Sequence, residues 1–182
     1  MKGRLVLIIG PSGSGKDTLM AGAARVLASD QRFRFARRSV TRPAAEEDHE
    51  SLDLPGFLAR RARGDFALHW QAHGLYYGIP ADIAADLGLG RIVVANVSRG
   101  ILAEAAARFP VTIIEITVPD EVRAARLRER GREAPAEVAA RLTRDVPRPP
   151  GLPVATLVND GNISEGIAAL VDFLMMVPDE PG

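Results

Sequence analysis

The feature that most constrains the fold of this chain is a glycine-rich loop between an apolar run and a helical pattern. Residues 5–9 form a continuous apolar run, which is typical of a buried parallel strand. The loop GPSGSGK occupies residues 10–16, and apolar residues then recur at helical spacing to about residue 29. In this context, backbone N–H groups and the positive end of a helix hold phosphate. The sequence therefore predicts a phosphate-binding loop (P-loop) rather than a simple glycine turn.

The predicted nucleotide site ends in an unusual residue. Lys16 is expected to reach the β- and γ-phosphates of a nucleotide. Asp17 then stands where such loops carry Ser or Thr to hold magnesium. Since Mg²⁺ accepts carboxylate oxygen readily, we interpret Asp17 as a magnesium-supporting residue, the alternative being an acid favoured in the first turn of a helix. The site then comprises Gly10, Pro11, Ser12, Gly13, Ser14, Gly15, Lys16, Asp17 and Thr18.

Apolar runs and helical patterns alternate along the rest of the chain, which predicts an α/β fold with a parallel sheet flanked by helices. We expect one P-loop kinase domain over residues 1–182, with a more polar insertion over about 41–79 that holds a short helix after Pro55 and a strand over 66–70. Further strands are predicted at 33–40, 91–97, 111–118 and 155–158, and helices at 80–87, 101–109, 119–130 and 163–176.

The composition excludes several classes of protein. The formal net charge is zero, which argues against nucleic acid as a partner, and the lack of cysteine excludes disulfides and thiolate metal sites. No run approaches the ~20 apolar residues of a membrane helix, and the first apolar run is too short for a signal peptide. We therefore expect a cytoplasmic protein without a membrane or nucleic-acid partner, and we make no prediction of its oligomeric state.

Two groups of arginines are candidates for phosphate binding, because guanidinium groups bind phosphate in a fork and stabilise the charge of a phosphoryl-transfer transition state. Arg38 and Arg42 lie near the end of the second predicted strand, where α/β sheets bind ligands. A second group suggests a lid over about 126–144, although interleaved glutamates also fit a solvated helix. The lid arginines are Arg126, Arg130, Arg132 and Arg141.

Several segments together resemble the guanylate kinase family over nearly the whole chain. They are GPSGSGK, SVTR, HGLYYGIP, RLRERGRE with Arg141, and VND, in that order. The resemblance implies a sheet-and-helix core, an acceptor-binding insertion, an arginine lid, and ATP and Mg²⁺ as cofactors. It also implies that Tyr76 and Tyr77 contact the acceptor, together with Arg38, Arg42 and Arg99.

The chain departs from the guanylate kinase pattern at informative positions. The glutamate that recognises guanine in that family corresponds to Leu68 here, and the strand that usually ends in Asp ends near Asn96. A leucine cannot pair with guanine N–H groups, and leaving such donors unmatched costs about 1–3 kcal/mol. We therefore interpret Asp17 as compensating for the missing Asp, in a kinase without a base-recognition residue.

A closer resemblance is to the ribose 1,5-bisphosphate phosphokinases, which are relatives of guanylate kinase. It is carried by GPSGSGKD, SVTRPA, DHES, LHWQAHGLYYGIP and VANVSRG. It implies ATP-dependent phosphorylation of ribose 1,5-bisphosphate at its 1-phosphate, giving 5-phosphoribosyl 1-diphosphate in phosphonate breakdown. The alternatives are a guanylate kinase-type nucleoside monophosphate kinase and a non-catalytic guanylate-kinase-like binding module.

Overall fold

A five-stranded parallel sheet forms the centre of the molecule. The structure is a computed structural model that describes residues 3–43, 48–129 and 151–178, without the side chains of 126–129. In chain order, the strands are β1 (Arg4–Ile9), β2 (Phe33–Phe35), β3 (Ser39–Val40), β4 (Glu50–Ser51), β5 (Phe66–Ala72), β6 (Leu75–Pro80), β7 (Ile92–Asn96), β8 (Val111–Thr117) and β9 (Val154–Val158). The central sheet has the order β2-β7-β1-β8-β9, and all its pairs are parallel. The predicted parallel sheet is therefore confirmed.

Helices cover both faces of the central sheet. They are α1 (Lys16–Val26), α2 (Leu54–Ala62), α3 (Ile83–Gly88), α4 (Leu102–Arg108), α5 (Asp120–Glu129) and α6 (Ile163–Met175), with a 3₁₀ turn over Arg99–Ile101. None of the described helices has the length and apolarity that a bilayer crossing requires.

The central strand β1 joins two hydrophobic cores, because alternate side chains of a strand point to opposite faces. Leu5, Leu7 and Ile9 belong to a core that includes residues of α3 and α4, whereas Val6 and Ile8 belong to a core with α1 and α6. All five are fully buried. This burial on both faces explains the continuous apolar run and fixes the strand from which the phosphate loop emerges.

A second, mixed sheet stands beside the central one, with the order β4-β3-β6-β5. Strands β5 and β6 form an antiparallel hairpin, whose turn residues His73 and Gly74 have φ angles of 52° and 75°. Two consecutive positive φ angles define the type I′ turn that suits a two-residue hairpin. The second sheet is built from residues 39–80, which include the described part of the predicted insertion.

Two predicted elements were wrong. The strand over 33–40 is two strands, β2 and β3, which belong to different sheets. The helix predicted from Pro80 begins at Ile83, because Pro80 closes strand β6 opposite Phe66. Strand β6 was not predicted, since an internal glycine weakens the strand pattern. Gly78 is needed there, as a Cβ would lie 2.5 Å from the Phe66 ring.

Asp86 on α3 holds the edge strand β2 in place. Its carboxylate is buried and accepts hydrogen bonds from Arg34 of β2 and, at 2.7 Å, from Arg91. Arg34 also pairs with Asp82 at 2.8 Å. Burial by itself raises the pKa of Asp86, but the two arginines outweigh it and hold that pKa below its ordinary value of 3.8. The pairing therefore stabilises the fold above about pH 4, and this contribution is lost as the pH falls through the depressed pKa.

We expect Asp86→Asn to lower the free energy of unfolding at pH 7 by about 1.5–3 kcal/mol, the value of hydrogen bonds to a charged group. Urea unfolding of the wild type and the variant should show a smaller difference at pH 3 than at pH 7, because the contribution of the carboxylate begins to be lost once the pH falls below its ordinary pKa of 3.8. Asp82→Asn is the matched control, because Asp82 contacts the same arginine but its side chain is 65% exposed; its effect should stay below about 1 kcal/mol. Equal losses for Asp86→Asn at both pH values would contradict this account.

Candidate active site

A cleft opens at the carboxyl ends of β1 and β7, between the phosphate loop and the second sheet. Its volume is about 250 Å³. Ligands of open α/β sheets bind at this edge, because the loops that follow parallel strands meet there. The lining residues are Gly10, Pro11, Ser12, Lys16, Asp17, Arg38, Arg42, His73, Tyr77, Asn96, Val97, Ser98, Arg99 and Arg123.

The phosphate loop depends on glycine and on support from a neighbouring strand end. Gly13 and Gly15 have φ angles of 84° and 85°, a region that favours glycine. Behind the loop, the side-chain amide of Asn159 donates to the carbonyl of buried Ser14 at 2.8 Å. Asn159 therefore supports the loop from the end of β9.

Lys16 and Arg123 place two cations beside the phosphate loop. The Nζ of Lys16 donates to the carbonyl of Pro11 at 3.3 Å, and the Nε of Arg123 donates to the carbonyl of Ser12 at 3.1 Å. Arg123 is only 7% exposed and also lies 3.6 Å from Asp120. Arg123 was not among the predicted site residues, because nothing in helical spacing indicates a contact with residue 12.

Asp17 lies at the centre of a polar cluster that joins three segments. Its Oδ1 accepts a hydrogen bond from the side-chain amide of Asn96 at 2.7 Å and lies 3.5 Å from the guanidinium of Arg38. The unusual acid after the loop lysine therefore contacts the unusual asparagine at the end of β7. Position 17, where the chain has an extra acid, and position 96, where the usual Asp is missing, are thus in direct contact in the structure.

Arg38, Arg42 and Tyr77 line the cleft on the side of the second sheet. The guanidinium of Arg38 lies 5.8 Å from the centre of the Tyr77 ring, a cation–π distance that holds both groups in place. Tyr76 points elsewhere: its ring packs 5.6 Å from Phe57, and Tyr76 is not among the cleft-lining residues. The structure therefore brings Tyr77 into the cleft and leaves Tyr76 in the packing of the second sheet.

Arg99 is held at the cleft by a buried carboxylate. Its guanidinium donates to Glu115 Oε1 at 2.6 Å, and the side chains of Arg99 and Glu115 are 16% and 1% exposed. Glu115 lies on β8 opposite Ile9, and Ile9 is the last residue before the phosphate loop. Neither its burial nor its pairing was predicted, because a glutamate inside an apolar strand gives no sign of its partner.

The remaining predicted residues have different outcomes. Thr18 is exposed on α1 and does not line the cleft. Arg126 lies in α5, but its side chain is outside the described part of the chain. Arg130, Arg132 and Arg141 also fall outside the described residues, so the lid stays a prediction. His73, from the hairpin turn, lines the cleft although sequence reasoning gave it no role there.

Comparison with known structures supports the fold. The guanylate kinase of Anaplasma phagocytophilum superposes with a TM-score of 0.65 at 17% identity, covering 98% of this chain and 89% of that one. The parallel sheet, the glycine loop and the cationic cleft thus define a protein of the P-loop kinase fold.

Curated proteins of similar sequence identify the family, although no protein-family model matches the chain. The ribose 1,5-bisphosphate phosphokinase of Pseudofrankia inefficax is 46% identical over 181 residues, covering 98% of this chain and 94% of that protein. Its counterpart in Acidiphilium cryptum is 46% identical over 180 residues, covering 98% and 96%. This chain belongs to the ribose 1,5-bisphosphate phosphokinase family.

One group of relatives is much longer than this chain. The bifunctional ribose 1,5-bisphosphokinase-thymidine phosphorylase of Azorhizobium caulinodans is 45% identical over 177 residues, which cover 95% of this chain and 26% of that protein. The chain thus spans about a quarter of that relative, and the similarity says nothing of the remaining three quarters.

We expect Glu115→Ala to lower the free energy of unfolding by about 3 kcal/mol, because it removes a charge-assisted hydrogen bond to Arg99 at a fully buried position. The double variant with Arg99→Ala should regain part of that loss in urea unfolding. Glu104→Ala is the control, since Glu104 forms a 3.1 Å ion pair with Arg108 in which both side chains are about half exposed; we expect a change below about 0.5 kcal/mol. Additive effects of the two single substitutions would show that the pair is not coupled.

Proposed function

We propose that this protein transfers the γ-phosphoryl group of ATP to the 1-phosphate of ribose 1,5-bisphosphate, giving ADP and 5-phosphoribosyl 1-diphosphate. An oxygen of the acceptor phosphate forms a bond to the γ-phosphorus, and the bond from that phosphorus to the β–γ bridging oxygen breaks. The proposal is supported by the names of the full-length relatives and by a cleft that joins a phosphate loop to an arginine-rich acceptor side.

The burial of Leu68 is the single observation that supports a sugar phosphate, rather than a nucleotide, as the acceptor. Its side chain is fully buried in the hydrophobic core beneath β5. A buried leucine offers no hydrogen bond to a nucleobase, so an acceptor that has a base would leave its polar edge unmatched there. An acceptor made of a sugar and phosphates has no such edge.

The described residues suit a reaction that needs no general base. A phosphate monoester has a second pKa of about 6, so its attacking oxygen is already ionised at neutral pH. The protein then has to bring two anionic substrates together and neutralise their charge. Lys16, Arg38, Arg42, Arg99 and Arg123 line the cleft, while Asp17 is the one acidic residue among the described residues that line it.

These cations divide between the two substrates by their position. Lys16 and the backbone of the glycine loop would bind the ATP phosphates, with Arg123 beside the loop at Ser12. Arg38, Arg42, Tyr77 and Arg99 would hold the acceptor from the opposite side. Arg126, Arg130, Arg132 and Arg141 would close the site as a lid, a role carried over from the sequence alone.

Asp17 fits a magnesium-supporting role. Mg²⁺ commonly takes one or two carboxylates from the protein and completes its shell with water and substrate phosphates. The described residues contain no cluster of three or more metal-binding side chains, so a single carboxylate is what the described part of the cleft offers. Both contacts of Asp17 are made by Oδ1, which leaves Oδ2 as the candidate ligand atom. When bound, magnesium would neutralise charge on the β- and γ-phosphate oxygens.

The direct test measures ADP release from ATP and Mg²⁺ with ribose 1,5-bisphosphate, and with GMP in parallel. We expect turnover with the sugar bisphosphate and none above background with GMP. Lys16→Ala should abolish turnover while leaving the circular dichroism spectrum unchanged, because the lysine charge acts on the transferred group and not on folding. Turnover of GMP alone would identify a nucleoside monophosphate kinase, and a folded protein that does not bind ATP would identify a non-catalytic module.

Exchanging the residues at positions 17 and 96 tests the magnesium assignment. We expect Asp17→Asn to weaken Mg²⁺-dependent activity and Mg²⁺·ATP binding by about 10–100-fold. The double variant Asp17→Asn/Asn96→Asp should recover part of this loss, since it keeps one carboxylate and one amide in the same contact. Titrations of activity and calorimetry with Mg²⁺ provide the two readouts. An unchanged magnesium response in Asp17→Asn would show that Asp17 is only an acid at the start of a helix.

A further inference from the structure

Ser98 is in an unusual position for a helix-capping residue. It occupies the N-cap of the 3₁₀ turn that leads into α4, where a serine side chain usually accepts a hydrogen bond from a backbone N–H. Its side chain makes no capping bond here. Instead, Ser98 Oγ accepts a hydrogen bond from the indole Nε1 of Trp70 at 2.8 Å. The hydroxyl is therefore drawn away from the helix that it would otherwise cap.

This hydrogen bond determines what the Ser98 hydroxyl can do. Because the oxygen accepts from the indole, the hydroxyl proton is available for donation to another group. Ser98 lines the cleft between Asn96 and Arg99. Such a donor fits a phosphate or sugar oxygen of a bound acceptor.

Trp70 is itself held rigidly behind the cleft. Its ring stacks on that of Tyr77 with centroids 5.3 Å apart and planes 7° from parallel. It packs against the core on the face of the central sheet that includes α3 and α4, and it is not among the cleft-lining residues. One side chain thus fixes two groups that line the cleft, the ring of Tyr77 by stacking and the hydroxyl of Ser98 by hydrogen bonding.

We propose that Ser98 is an acceptor-binding residue and that Trp70 is its positioning residue. Trp70 turns the Ser98 hydroxyl from the helix into the cleft and holds Tyr77 beside it, so that both meet the same substrate. The inference rests on the proposed function for the identity of that substrate. The Ser98 hydroxyl would be a neutral hydrogen-bond donor beside the arginines. Its contribution to binding would depend on the direction of the hydrogen bond rather than on charge.

Steady-state kinetics with three variants tests this assignment. Trp70→Phe keeps an aromatic ring against Tyr77 but removes the indole N–H, so it should raise the KM for ribose 1,5-bisphosphate about threefold, as should Ser98→Ala. Trp70→Leu also removes the stacking and should raise this KM about tenfold. The KM for ATP should stay within about twofold of the wild-type value in all three, because the phosphate loop is unchanged.

A double variant separates positioning from general loss of packing. If Trp70 acts through Ser98, Trp70→Phe/Ser98→Ala should be no worse than the poorer single variant, since both changes remove one interaction. Phe109→Leu is the matched control. Phe109 packs against the same core but lies just before the start of β8, at the amino ends of the strands and away from the cleft. Its acceptor KM should equal that of the wild type. Multiplicative effects of the two single substitutions, or an equal rise in both KM values, would overturn the proposal.

Fluorescence gives a readout that does not need turnover, because Trp70 is the only tryptophan in the chain. Ribose 1,5-bisphosphate should change the emission of the wild-type protein, and a nonhydrolysable ATP analogue with Mg²⁺ should change it much less. Ser98→Ala should weaken the acceptor titration about threefold. Turnover of the sugar bisphosphate without any acceptor-specific change in emission would overturn the role of Trp70 and leave the proposed function standing. A wild-type protein that does not turn over the sugar bisphosphate would overturn both.

Discussion

The register between β1 and β7 is the constraint on which the rest of the site depends. Ile8 pairs with Asn96, so strand β7 ends beside the residues that enter the phosphate loop. Asp17, one residue after the loop lysine, then meets the amide of Asn96 at 2.7 Å. A slip of one residue would turn Asn96 toward the other face of the sheet, because side chains alternate along a strand. Close packing of β1 against a hydrophobic core on each face disfavours such a slip, and the register thereby fixes the cleft.

Each cation of the cleft whose contacts are described is held by a fixed partner. Arg38 lies between Asp17 and the Tyr77 ring, and Arg99 is paired with buried Glu115. Arg123 is anchored on the carbonyl of Ser12. Groups held in this way need little reorganisation when charge develops on a transferred phosphoryl group, which is where preorganised electrostatics lowers a barrier most. The chain as a whole is formally neutral, so this positive charge is a local property of the cleft.

Sequence reasoning was most accurate where structure is decided locally. Strand β1, the glycine loop and the start of α1 follow from an apolar run, a motif and helical spacing within some twenty residues. Lys16, Asp17, Arg38, Arg42, Tyr77 and Arg99 were all predicted from motifs, and all line the same cleft. The division of 33–40 between two sheets was missed because it is decided by β7 and β6, which lie far along the chain.

The residues that sequence reasoning missed share one property, which is that their roles depend on contacts between distant segments. No role in the site was predicted for Trp70, and its hydrogen bond to Ser98 crosses 28 positions of sequence. The contact between Arg123 and Ser12 crosses 111 positions. No periodicity or motif encodes such a pairing. Asn96 is an intermediate case, since its departure from the family pattern was visible in the sequence but its contact with Asp17 was not.

The two sides of the cleft offer different kinds of binding surface. At the phosphate loop, glycine backbone geometry and one lysine form the binding surface, and most side-chain substitutions elsewhere leave backbone N–H groups unchanged. On the other side of the cleft, the lining consists of side chains that flank β3, stand on β6 or follow the end of β7. The fold, which is shared with a guanylate kinase at 17% identity, therefore does not by itself decide which acceptor the cleft takes. In the function proposed above, Leu68, Trp70 and Ser98 are the positions that would favour a sugar phosphate over a nucleobase.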